Sequence, residues 1–189
     1  MNPYPTPPAP CARFDGIVHI QPSKEAAVLY AEWAANCPST DTYIHMNLFC
    51  DASKSPEQDK GGIAVTFSQW LPGEPVNRPV IRAAWPVTPL YDRRLGEFLA
   101  LSECLFVATQ EILQFSNCPL LAGKTVVVRI FNDNMYNLEY LQGTRVLDQA
   151  IMTLARPVLD LIATQSVVIQ KCGVSVRLEA HWIPGHEHN

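Results

Sequence analysis

The stretch Ile44-His45-Met46-Asn47-Leu48-Phe49-Cys50-Asp51-Ala52-Ser53, residues 44–53, decides how the chain is read. Ile44, Met46 and Leu48 alternate with His45, Asn47 and Phe49, which is the period of a strand with one face turned to a core. That strand delivers Asp51 at its end. An acid in this position is either a strand-end cap or a ligand, and its surroundings must decide between them.

Downstream of this strand, the loop KSPEQDKGG leads into GIAVTFSQW, and the turn-like LPGEPVNRP leads into VIRAAWPV. The three strands predict an antiparallel meander closed by Pro86 and Pro89. A long helix is expected over 91–115, with Leu95, Phe98, Leu99, Leu105, Phe106, Ile112 and Leu113 covering much of its surface. TVVVRIF, residues 125–131, is rich in β-branched residues and suits a strand buried on both faces, with Asp133 emerging just after it. A short helix follows over 134–142, where Asp133 is open to a capping role. Residues 147–171 have the pattern of a second long helix, which Pro157 should kink or split and Gly173 should stop. VSVRLEAHW, 174–182, alternates as a last strand, and His45 and His181 read as ordinary strand residues.

Upstream, Ser23 can cap a helix over 24–36 that carries Glu25 in its first turn and an apolar face of Ala27, Tyr30, Ala31 and Ala34. Residues 1–22 hold six prolines, a composition that favours an extended tail. The chain therefore divides into a Pro-rich tail (1–22), a helical extension (23–43) and one domain (44–189). The element order predicts an α/β fold, a mixed five-stranded sheet in which three antiparallel strands precede interleaved ones, with helices on both faces.

The composition narrows the function. At 189 residues and 48% apolar, the chain can bury a core without staples. No apolar run approaches the roughly 18 residues of a membrane span, and the first residues have no signal-like apolar region, so an intracellular protein, nuclear or cytoplasmic, is expected with no membrane partner. Cys11, Cys37, Cys50, Cys104, Cys118 and Cys172 form no C-x-x-C pair and are read as reduced thiols. The net charge of −4 counts against a basic nucleic-acid footprint. Bound divalent metal can reverse the sign of an acidic site, however, and this keeps phosphodiester substrates within range.

Helical geometry sorts the acids on the long helix. Glu103 points about 240° around from Glu97, and Glu111 lies about 21 Å further along, so neither can share a metal with it. Glu97 joins Asp51 and Asp133 as a candidate ligand, with a solvated surface carboxylate as the alternative.

Four pieces in order carry a resemblance: Asp51-Ala52-Ser53 on the first strand of the domain, Gly96-Glu97-Phe98-Leu99-Ala100-Leu101 on the long helix, Asn132-Asp133-Asn134 after the fourth strand, and Trp182-Ile183-Pro184-Gly185-His186 after the last. Together they resemble the ribonuclease H family, of the type found in retroelement polyproteins and free-standing enzymes, over residues 44–189. The resemblance implies a metal-dependent endonuclease that cuts the RNA strand of RNA/DNA hybrids. Two ions, Mg2+ or Mn2+, roughly 4 Å apart would neutralise phosphate charge, activate water and stabilise the leaving oxygen. Asp51 would bridge both ions, Glu97 and Asp133 would hold one each, and His186 would assist proton transfer or product release.

The sequence departs from the family pattern in two respects. A fourth acid is expected beyond the histidine, yet the sequence runs only three residues past His186. Either the chain is truncated inside its domain, or Glu187, His188 or Asn189 substitutes, or the position is empty. A basic, aromatic-rich insertion between the helices at 134–142 and 148–171 is also missing, so hybrid binding would depend on shape, on 2′-hydroxyl contacts or on a partner. The alternative function is a weakly active or inactive module of the same fold that binds a protein or nucleic acid.

Overall fold

A computed structural model describes residues 13–68 and 80–185. Its elements in chain order are β1 (Ile17–His19), α1 (Lys24–Asn36), β2 (Tyr43–Lys54), β3 (Gly61–Ser68), β4 (Val80–Val87), α2 (Arg93–Phe115), a 3-10 turn at Pro119–Leu121, β5 (Thr125–Asn132), α3 (Met135–Gln142), α4 (Gln149–Gln170) and β6 (Ser175–Trp182). The sheet order is β1-β6-β5-β2-β3-β4. β2, β3 and β4 form the antiparallel meander, and β5, β6 and β1 add in parallel on its other side.

The α/β class and the mixed sheet follow the sequence reading, but with six strands rather than five. The sixth is β1, in residues read as part of an extended tail. It pairs with β6, Val18 opposite Ala180, and is too short to carry a periodic signal of its own. A second difference concerns Asp51. β2 runs on to Lys54, so Asp51 lies inside the strand opposite Ala64 rather than at its end. The third concerns Pro157: of the kink or split expected there, the split does not occur, and α4 runs on through it. The ring sits on the exposed side of the helix, where water can satisfy the carbonyl of Thr153 that loses its partner.

The core follows from the alternation of β2. Ile44, Met46, Leu48, Cys50 and Ala52 are buried with Phe98, Leu101, Cys104, Leu105, Ala108 and Ile112 of α2 and with Ile151, Leu159 and Ile162 of α4. Gly96 lets α2 lie close on β2, since a Cβ there would come within 3.0 Å of the Ala52 Cβ. By length and composition α2 and α4 could each cross a membrane, which the reading of apolar runs did not anticipate, but here they pack on the sheet and on each other. The opposite face is covered by α1, capped by Ser23 as expected. Asn47 Nδ2 donates to the Ala34 carbonyl at 2.6 Å, and Tyr30 stacks on His181 and meets Phe131 at a tilt. Under α1, a row of rings crosses four strands from His19 through His181 and Phe131 to Phe49, with neighbouring centroids 4.6, 5.2 and 4.7 Å apart.

Candidate metal centre

The ring row ends one step short of the acids. β2 and β5 pair in parallel up to Cys50 and Asn132, so Asp51 and Asp133, each one residue further on, come to stand side by side. Glu97 comes from α2. Its approach is set by the start of that helix, where the Asp92 side chain caps the N-terminus by accepting from Arg94 N at 2.7 Å. Arg94 also pairs with Asp92 at 2.9 Å and Asp148 at 3.3 Å, and its backbone carbonyl accepts from Asn137 Nδ2, so the first turns of α2, α3 and α4 are tied together.

One carboxylate oxygen from each of Asp51, Glu97 and Asp133 lies within 4.8 Å of the others. Asp51 is exposed, Glu97 is fully buried and Asp133 is in between. Both bland readings of the aspartates are answered by the geometry. Asp51 is not at a strand end, and α3 is capped by Asn134, whose side chain accepts from Asn137 N.

Asn132, quoted in the sequence motif without a role, holds the site together. Its Nδ2 donates to Glu97 Oε2 at 3.0 Å and to the Cys50 carbonyl at 3.3 Å, while its Oδ1 accepts from Asn134 N. A buried polar residue directly before the acid was the available signal. Glu97 Oε1 has no hydrogen-bond partner and only the loose charge contact of Arg93 Nε at 3.5 Å, which leaves a buried carboxylate oxygen that a coordinating cation would satisfy. Burial, first, and then the charges of Asp133 and Asp51 raise the Glu97 carboxyl to about 7 against the lowering pull of Asn132 and Arg93. The donor set of hard oxygens from separate elements suits magnesium or manganese.

The segment after β6 passes over the cage. Ile183 N donates to the Asn132 carbonyl, Trp182 Nε1 donates to the Asp133 carbonyl, and a Cβ on Gly185 would come within 2.5 Å of Asp133 Oδ2. Only glycine fits so close. A cleft of about 250 Å³ opens beside the acids, lined by Phe49, Thr66, Ile183 and Pro184 among others. His186 and the fourth-position candidates Glu187, His188 and Asn189 lie outside the described residues.

His181, read as an ordinary strand residue, belongs to a second buried cluster with His19 and Glu179. Glu179 receives Arg129 Nε at 3.2 Å and His181 Nε2 at 3.0 Å, and Arg177 lies beside it. Burial alone would raise Glu179, but His181, Arg177 and Arg129 outweigh it and hold the carboxyl at about 2. His45 is drawn in through Arg129 Nη1 at 3.1 Å. This cluster is poorly disposed toward a metal. The His19 and His181 rings are stacked within 13° of parallel, so no single ion can lie in both ring planes, and two guanidiniums already attend the carboxylate. It ties β1, β5, β6 and α1 together.

No protein-family model matches the chain, and no curated protein matches it. Among solved structures, it is similar to ribonuclease H1 from the halophilic archaeon Halobacterium salinarum NRC-1, at 10% identity over 74% of this chain and 86% of that one, with a TM-score of 0.45.

Proposed function

We propose that this chain is a divalent-metal-dependent nuclease that hydrolyses the RNA strand of RNA/DNA hybrids. The observation that carries this reading is the convergence of Asp51, Glu97 and Asp133, from a strand, a helix and a loop, onto one point where the central strands β2 and β5 part. The four ordered motifs supply the substrate class. Magnesium or manganese bound there would supply neutralisation of phosphate charge and activation of the attacking water.

The chain's own residues do the rest. Asp51, on the exposed side of the cage, would hold the metal together with Glu97 and Asp133. Asn132 holds Glu97 Oε2 and so turns Oε1 toward the site. The high proton affinity of Glu97 means that the site loads readily only once that carboxyl has given up its proton, near pH 7 and above. Gly185 lies close against Asp133, and His186, the next residue in sequence, is the one to which the motif resemblance gives the proton-transfer role.

The net charge of −4 favours a second reading, a binding module that retains the acids without turnover. Cleavage of an end-labelled RNA/DNA hybrid with magnesium separates the two. The nuclease reading expects RNA-strand cuts that Asp51→Asn abolishes while hybrid binding persists. Binding without cutting in magnesium or manganese overturns it in favour of the module.

A further inference from the structure

Arg93 is the first residue of α2, one helical turn before Glu97, and its guanidinium reaches back over the cage. Its Nε lies 3.5 Å from Glu97 Oε1 and its Nη2 lies 3.6 Å from Asp133 Oδ2. The contact with Glu97 is to the oxygen that has no hydrogen-bond partner. Both distances exceed those of a tight bidentate pair, so the group acts as a charge held near two acids rather than as a locked fork. The side chain is 62% exposed, so moving it off the cage uncovers little buried surface.

We propose that Arg93 is a tethered counter-cation that occupies the Glu97–Asp133 side of the cage and is displaced when a divalent ion binds, so that it sets the site's metal affinity. The inference rests on the metal reading above. Three carboxylates within 4.8 Å repel one another, and a guanidinium beside two of them relieves part of that repulsion. A divalent ion brings twice the charge and direct coordination, but it must first expel the arginine. Arg93 is therefore a positioning residue for charge, not a catalytic one.

The test is manganese binding to the full chain by calorimetry at pH 8, above the value to which burial raises Glu97. Arg93→Ala should bind manganese about three- to tenfold tighter than the unaltered protein, with Arg93→Lys close to the original. Without metal, Arg93→Ala should melt lower than the unaltered protein, and saturating manganese should shrink or reverse that gap. A merely structural arginine would lower the melting point equally with and without manganese. Manganese affinity that Asp51→Asn abolishes, but that Arg93→Ala leaves within twofold or weakens, overturns this inference and leaves the metal site standing. Absence of Asp51-dependent manganese binding in both the unaltered chain and Arg93→Ala overturns both.

Discussion

Glu97 shows what one residue contributes and what it costs. Its carboxyl, ordinarily near 4.5, sits at about 7 because it is buried beside two other acids. The folded state therefore holds a proton that the unfolded chain gives up between those values, and stability falls as pH rises from about 4.5 to about 7, levelling off above. The span is worth about 3 kcal/mol. Glu97→Gln should flatten the stability profile in that window, as urea melts at a series of pH values would show; an unchanged slope would mean that the acid is better solvated than its burial indicates. At this scale the sequence was legible for the acids, because residue type and neighbouring motif name them. Asn132 and His181 were less so, since their roles depend on which strands lie side by side.

Elements were legible where periodicity is long. The bounds of α1 and β4 coincide with the reading, because a Ser23 cap, a Cys37-Pro38 stop and flanking prolines are local signals. β1 and the uninterrupted course of α4 were not, because a three-residue strand exists only through its partner and a proline is tolerated only where its face of the helix is wet. α1 itself is more than an appendage of the domain. Tyr30 stacks on His181 at 4.7 Å and Trp33 covers the Arg129 guanidinium at 5.3 Å, so the helix closes the sheet face that carries the polar row. Tyr30→Ala should lower unfolding free energy by about 2 kcal/mol, and Tyr30→Phe should restore most of it, as denaturant titration would show. A Tyr30→Ala protein as stable as the original would mean that α1 merely rests on the sheet.

At the scale of the whole molecule, the two halves of the sheet differ in how far apart in sequence their partners lie. β2, β3 and β4 pair with near neighbours in sequence, whereas β1 pairs with β6 at the opposite end of the described chain. The long-range closure is reinforced by Asp15 N donating to Ser166 Oγ, 151 residues away, and by the His19–His181 stack. These contacts explain why residues 13–22 were not recognisable as part of the domain, since everything that orders them arrives from the far end of the sequence. They also set an order of events during synthesis. β1 has nowhere to dock until β6 has been made, so its backbone groups stay in water while the intervening residues are synthesised, and loop closure over that span makes its docking late in refolding too. Pulsed hydrogen exchange should find the β1 amides that bond to β6 protected after those of β2 and β3. The edge of β6 that β1 covers would then stand open as a template for other chains until β1 docks, and closing it would be the step that turns a growing sheet into a finished one.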